Sequence, residues 1–527
     1  MTMKNTLEKI ASFFVVIVLP VLVIYLTIHF GLHRNEAHKP VVSLKSETTP
    51  KVNHGEFEIL QQAFINPKDV TAACLSCHNK RDDELMQSTH WLWEREADIP
   101  GRGVVKIGKM NIHNNFCTGA QGNNGSCMRC HIGYGWEDET FDFNDANNID
   151  CLVCHDKTDT YLKQKGMAGW PATEATATAE FPVPDYNLVA ANVGYPDRDN
   201  CGVCHFYGGG GNNVKHGDLE EALFHTNRKV DVHMGEDGPN MVCVDCHEAP
   251  NHNIKGRSYS VSANNTNRLH CYECHTETPH NDAILDYHNN KIACQTCHIP
   301  VYAKVNATTL YWDWSTAGRR DENGNPIKEY DADHNYSYLS IKGHFVFDNM
   351  VTPEYYWFNG TVDHVLNDDT INESPVQINR LFGSYADTNA KIWPVKVHRG
   401  KQAFDPINKK LLSVKLFAHE KGQGAFWEDL EWEEAIKQGM EYNKRNWSGE
   451  YDFIETEVYW PLNHMVSVKE ETLSCKDCHI REKGRLENLN DFYLPGRDYN
   501  KLLDFSGFAI IIFSLIGVIV HAVLRIL

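Results

Sequence analysis

Asn115-Phe116-Cys117-Thr118-Gly119-Ala120-Gln121-Gly122-Asn123-Asn124-Gly125-Ser126-Cys127-Met128-Arg129-Cys130-His131 is the stretch on which the chain turns. In its last five residues two thiols are spaced to take up the two vinyl groups of a porphyrin, and the imidazole that follows can ligate the iron. The signature recurs with Cys74, Cys77 and His78; Cys127, Cys130 and His131; Cys151, Cys154 and His155; Cys201, Cys204 and His205; Cys243, Cys246 and His247; Cys271, Cys274 and His275; Cys294, Cys297 and His298; Cys475, Cys478 and His479. Chance would supply roughly 0.03 of them from 17 Cys and 28 His in 527 residues, against eight found. Zinc ribbons do not require a His after every second Cys, and disulfide frameworks belong mostly to short secreted chains. Eight covalently bound haem c groups are therefore expected, each with the signature His as proximal iron ligand. Cys117 is the one cysteine that no attachment can use.

Seven signatures lie between Cys74 and His298, too evenly strewn to be cut into separate folding units, so porphyrins must supply much of the apolar interior. The short spacings at Cys127/Cys151 and Cys271/Cys294 suggest closely packed haem pairs. The expected fold is mainly α with much irregular structure, a haem-packed core and one transmembrane helix at each end. Residues 1-32 read as an N-terminal anchor, 33-66 as a linker and 67-300 as a seven-haem body that includes the catalytic haem. Residues 301-470 read as a haem-free, aromatic-rich wrap, 471-486 as the eighth haem segment, 487-504 as juxtamembrane and 505-527 as a C-terminal transmembrane helix.

The first span, Ile10 to Phe30, outruns a signal-peptide core and is followed by no small-x-small cleavage site. Phe505 to Leu524 is the second, closed by Arg525. Haem attachment takes place outside the cytoplasm, which puts the haem domain in the periplasm, on the cytoplasmic (inner) membrane, with both termini cytoplasmic. His521 sits one turn from Arg525 and reads as an imidazole facing headgroups, with a quinone or b-haem role as the alternative. The formal charge of −20 argues against nucleic acid, and a small anionic substrate would need a local cluster of cations. Arg102, Lys106 and Lys109, around the Gly-rich break Pro100-Gly101-Arg102-Gly103, read as solvated surface or as an entrance for anions.

The fourth signature continues as Phe206-Tyr207-Gly208-Gly209-Gly210-Gly211-Asn212-Asn213-Val214-Lys215-His216-Gly217-Asp218. Four consecutive glycines are unfavourable inside a helix or strand, so this backbone is either mobile or passes close to something flat, such as a macrocycle. Lys215 stands beyond them, exposed to solvent or held deprotonated against an iron. In the haem-free gap, Tyr311-Trp312-Asp313-Trp314 and Pro353 to Gly360 read as core or haem packing, and Asn323-Gly324 as a turn. Trp432, Ala435, Ile436 and Met440 share one face, which predicts a helix over Trp427 to Tyr442.

Twenty histidines remain once eight are spent as proximal ligands. His29, His33, His38, His54 and His521 fall in linker or membrane segments and are set aside. The distal ligands are sought among His90, His113, His225, His233, His252, His270, His280, His288, His398 and His464, so a catalytic haem has to be one given a different distal group.

The eight signatures, Asn115-Phe116-Cys117 and the Phe206 to Asp218 extension together resemble the octahaem tetrathionate reductase family of multihaem cytochromes c, over roughly Pro67 to Leu486. Signature count alone also fits the distantly akin hydroxylamine oxidoreductases. The resemblance implies that Lys215 replaces a distal His on the haem held by Cys127, Cys130 and His131. It also implies that Cys117 is a thiol in that pocket, and that the activity is reduction of tetrathionate, nitrite and hydroxylamine by a soluble periplasmic protein. Lys215, Cys117 and His131 are thus the expected catalytic residues. The two spans depart from the soluble members and suggest exchange with the quinol pool, a membrane cytochrome partner or periplasmic electron carriers; the oligomeric state is left open. The alternatives are a quinol-linked conduit with every iron six-coordinate, and hydroxylamine oxidoreductase-like oxidation, for which no tyrosine here is marked.

Overall fold

Residues 52–113, 118–256 and 267–526, together with Leu19, Leu22 and Tyr25, are described by a computed structural model. The chain divides into two units, Met1–Ser43 with His270–Ile292, and Leu44–Leu269 with Ala293–Leu527. In the described part of the first unit, the sixth signature forms a single turn, Cys271–Glu273, followed by a helix, Ala283–His288, whose end is capped by Asp282.

In the second unit the haem signatures sit on short helical turns rather than in long helices. Three residues of helix bring both cysteines of a signature to one side, which a shared porphyrin requires. The turns are Leu152–His155, Arg198–His205, Cys243–Cys246, Cys294–His298 and Cys475–Cys478. The first signature ends a helix over Pro67–Cys77, begun by the Asn66 side chain accepting from Lys68 N–H and by proline in its first turn. The supposed linker joins this body: Leu60 and Phe64 are buried in a cluster with Val70, Leu152, Tyr161 and Val189.

A β-hairpin, β1 (Glu94–Ile99) and β2 (Gly103–Gly108), follows the first signature. The haem-free stretch is built on β-strands, which overturns the mainly α expectation. Its strands are β3 (Thr308–Asp313), β4 (Lys328–Tyr330), β5 (Tyr336–Leu339), β6 (Gly343–Asp348), β7 (Glu354–Phe358), β8 (Val362–His364), β9 (Val376–Gln377), β10 (Asn379–Leu381), β11 (Lys391–Asp405), β12 (Lys410–Leu411) and β13 (Asp452–Pro461). Nine of them form one sheet in the order β4-β5-β6-β3-β11-β13-β9, with β12 and β7 also on β11, while β8 pairs with β10. The physical cause is composition: these runs are rich in Val, Ile, Thr, Tyr, Phe and Trp, whose bulky side chains fit a pleated, half-buried surface better than a helix. One face packs Trp312, Trp314, Phe345, Val458 and Trp460 with Ile436 and Met440 of the expected helix, observed as Trp432–Tyr442. Gly439 lets that helix approach closely, since a Cβ there would lie 2.4 Å from the Ser413 carbonyl oxygen.

Among the described residues one helix, Lys501–Ile526, is long and apolar enough to cross a membrane, and its apolar window makes no buried contact. The expectation of a membrane helix at each end is thus not met by the described residues, and the N-terminal segment lies outside them apart from Leu19, Leu22 and Tyr25.

Candidate functional site

Two imidazoles bound to opposite faces of one iron have their ring centres about 6.3 Å apart, because each metal–nitrogen bond is about 2 Å long and each centre lies about 1.1 Å behind its nitrogen. Three pairs among the described residues stand at this spacing: His54 and His78 at 6.1 Å, His90 and His205 at 6.2 Å, and His247 and His464 at 6.2 Å. In each pair one partner closes a signature and the other comes from elsewhere. A dry protein core has no reason to hold imidazole pairs at this separation, so the donor set fits haem.

Ring orientation agrees. The Nδ1 atoms of His155, His247 and His479 hydrogen-bond to the carbonyls of Gly194, Lys255 and Pro495, which leaves Nε2 for a metal. On the distal side, Nδ1 of His252 faces Glu84 at 3.0 Å and Nδ1 of His464 faces Asp218 at 3.3 Å. His252 lies close enough to His155 for its charge to add to the burial that lowers the His155 pKa, while the Gly194 carbonyl opposes both. In the other unit, His280 Nδ1 rests on Asp286, His288 Nδ1 on the Ile284 carbonyl, and His270 stacks on Tyr272. His225 is exposed on Glu236, and the His233 N–H donates to Asp231. His113 and His398 have other surroundings: His113 is buried beside Arg445, and His398 is buried in β11 opposite Val458. Burial and the Arg445 charge push His113 down to about 3.

Sulfur atoms mark which signatures adjoin. The thiol of Cys74 contacts Cys151, that of Cys130 contacts Cys204, and that of Cys201 contacts Cys243. These contacts join the first signature to the third, the second to the fourth and the fourth to the fifth, an order that sequence spacing does not give.

The second signature differs from the rest. His131 is 1 % exposed and enclosed by Trp91, Trp93, Trp136, Phe141 and Phe143, with ring centres 4.7 to 6.1 Å away. Its Nε2 contacts the Trp91 carbonyl at 2.6 Å, while Nδ1 has no partner among the described residues. To ligate iron in the usual way, this ring must release the Trp91 carbonyl. Lys163 Nζ donates to the carbonyls of His131 and Gly133 and lies 3.3 Å from Asp150.

Lys215 lies beside this signature. The glycine run passes next to it, a Cβ on Gly208 lying 3.4 Å from Lys215 Cδ, so part of the run serves close approach. Its Nζ lies 4.6 Å from the centre of the Trp460 ring. Burial, then repulsion from Lys109, lower the Lys215 pKa to about 7, while Cys130 opposes the shift as a thiolate, a charge it loses on becoming a thioether. His205, also close enough to feel Lys215, already faces His90. Of the three cations around the Gly-rich break, Arg102 is tied to Asp363, Asp369 and the His364 carbonyl, and Lys106 pairs with Glu94. Lys109 alone of the three reaches the site, lying over Trp93 at 4.7 Å and acting on His90, Cys130, His131, His205 and Lys215. Cys117 lies outside the described residues.

Sequence reasoning passed over His54, Trp460 and Lys396. His54 sits in a polar stretch with no nearby signature, and nothing in the sequence around Trp460 marks it. Lys396 is 0 % exposed, a position at which a charged residue is rarely expected.

Residues 309–482 match the family model described as Cytochrome c bacterial. A solved octahaem cytochrome c from Shewanella oneidensis superimposes with a TM-score of 0.75 and 39% sequence identity, covering 83% of this chain and 96% of that one. An uncharacterized protein of Archaeoglobus fulgidus is 24% identical over 251 residues, which is 40% of this chain and 82% of the relative.

Proposed function

The chain belongs to the octahaem cytochrome c family, and on that premise we propose that it reduces a small sulfur or nitrogen substrate, tetrathionate, nitrite or hydroxylamine, at a haem ligated by Lys215. The observation that carries this reading is placement: Lys215 lies beside Cys130 of the second signature, with the glycine run against its stem and Trp460 4.6 Å from its Nζ, and the lowering of its pKa to about 7 favours the neutral amine that a metal requires.

The proposed roles follow from placement. The sixteen signature cysteines attach haem and the eight signature histidines are its proximal ligands. His54, His90, His252 and His464 are distal ligands opposite His78, His205, His155 and His247. The haem groups supply the redox chemistry and the store of electrons. Around the second signature Lys109, Arg129 and Lys163 supply positive potential that attracts an anion against the net charge of the chain. Lys215, with an amine that exchanges more readily than a fixed imidazole, yields to substrate or stays beside it, and once protonated it can donate to a substrate oxygen. Tetrathionate takes two electrons, its central S–S bond breaks and two thiosulfates leave; nitrite takes six electrons and eight protons to give ammonium and two waters. Cys117, as pocket thiol, belongs to the same proposal.

The proposed location is the periplasmic face of the inner membrane, held there by Lys501–Ile526 and supplied with electrons from quinol or a membrane cytochrome. A conduit without substrate chemistry is the second reading, favoured by the three imidazole pairs at two-sided spacing. Electron paramagnetic resonance of the holoprotein, with turnover by its reduced form, separates the two. The reductase reading expects one lysine-ligated haem and oxidation of the reduced protein by at least one of the three substrates. Eight histidine pairs and no turnover would leave only conduction.

A further inference from the structure

Lys396 and Trp460 face each other across β11 and β13, and both reach the segment that carries Lys215. Trp460 lies under the Lys215 ammonium at 4.6 Å and meets the His216 ring edge-on at 4.9 Å. Lys396 takes the backbone. Its Nζ donates to the Val214 carbonyl at 2.8 Å, the Lys215 carbonyl at 3.1 Å and Thr308 Oγ1 at 2.5 Å. Three acceptors surround the buried head, so every N–H it carries has a partner. Thr308 in turn donates to the Asn213 carbonyl. Three consecutive carbonyls, of Asn213, Val214 and Lys215, are thus gripped from the sheet. A Cβ on Gly217 would lie 3.0 Å from Lys396 Cδ, so the segment turns tightly around the lysine stem.

We propose that Lys396 is a positioning residue for the Lys215-ligated haem, fixing the backbone from which the Lys215 amine reaches the iron. This rests on the ligation reading given above. Glycine-rich backbone upstream has little stiffness of its own, and a long lysine side chain finds a metal reproducibly only when its own Cα is held. A buried polar head is costly to retain as mere packing, since an apolar residue of similar volume needs no hydrogen-bond partners. In this chain the cost places a fixed grip directly beneath the ligand residue. The sheet of the haem-free stretch therefore does more than wrap: it sets the ligand of one haem while leaving the others to histidine.

The test uses the full-length, haem-loaded protein carrying Lys396→Met, Lys396→Gln or Lys215→Ala. The readouts are low-temperature paramagnetic resonance and near-infrared magnetic circular dichroism, which distinguish lysine–histidine from histidine–histidine ligation. Lys396→Met should cost the lysine–histidine signal about half of its intensity or more, replaced by high-spin haem, with the histidine pairs unchanged. Lys396→Gln, which keeps an N–H donor, should cost less, and it gives the answer if the Met variant yields no holoprotein. Lys215→Ala should abolish the signal. If Lys215→Ala leaves the spectrum as in the natural protein, the ligation reading itself is wrong. If Lys215→Ala abolishes the signal but both Lys396 variants keep it whole, the ligation stands and the positioning role is refuted. Loss spread evenly over several haems would also refute it, because the grip is confined to one segment.

Discussion

Replacing Asp218 by alanine should loosen one haem ligand and leave the rest in place. The carboxylate is 3 % exposed and accepts from Asn463 N–H at 2.7 Å, His464 N–H at 3.0 Å and His464 Nδ1 at 3.3 Å. Hydrogen bonds to a charged group contribute about 1.5–3 kcal/mol each; counting the two short ones fully and neglecting the long one, Asp218→Ala should cost about 3–6 kcal/mol. Asp218→Asn keeps an acceptor for the backbone and should cost about 1–2 kcal/mol. Because His464 stands 6.2 Å from His247, the same change should disturb the haem of Cys243 and Cys246. Guanidinium unfolding gives the first quantity, and paramagnetic resonance gives the second as a shift or loss in one histidine-pair signal. A stability change under about 0.5 kcal/mol together with an unaltered spectrum would refute the clamp.

Lys109→Gln should raise KM for nitrite or tetrathionate roughly fivefold, with the effect fading at high salt; equal KM values at low ionic strength would remove Lys109 from the substrate's field. Asp405 gives a pH dependence. Burial alone would raise its pKa, but donation from Asn408 and Ser448 prevails and holds it below the usual 3.8. A carboxyl so depressed contributes stability above its unfolded pKa and loses it as pH falls through the folded one. Asp405→Asn should therefore destabilise at pH 6, with a penalty that shrinks below about pH 4; denaturant midpoints at the two pH values check it, and a penalty independent of pH contradicts it. Deleting 501–527 should lower partition into the detergent phase, and unchanged partition would deny Lys501–Ile526 an anchoring role.

The attachment sites were legible because covalent chemistry fixes their spacing along the chain. Which imidazole stands opposite which signature was not, because that is set by tertiary packing: His464 stands opposite His247 from across the chain, and His54 opposite His78 from a segment that looks like a spacer. The helix over Trp432–Tyr442 was visible in its period. The sheet was missed where charges interrupt the apolar run, as in β11, where Lys391, Lys396, His398, Arg399 and Lys401 sit among Ile392, Val395 and Val397. Two of those polar residues are buried, Lys396 as a grip on the Lys215 segment and His398 in the sheet, and hydropathy registers neither. Arg102, read as solvated surface or as part of an entrance for anions, proved to be a tie to Asp363 and Asp369, partners only folding could reveal. Lys215 could be singled out from the glycines before it, whereas its Trp460 neighbour and its depressed pKa belong to the folded chain.

The most direct measurement is the paramagnetic resonance spectrum of oxidised, haem-loaded Lys215→Ala beside the natural protein. A single low-spin haem should turn high-spin and water-ligated while the signals of the histidine pairs persist. Identical spectra, with every low-spin signal assignable to paired histidines, would contradict it.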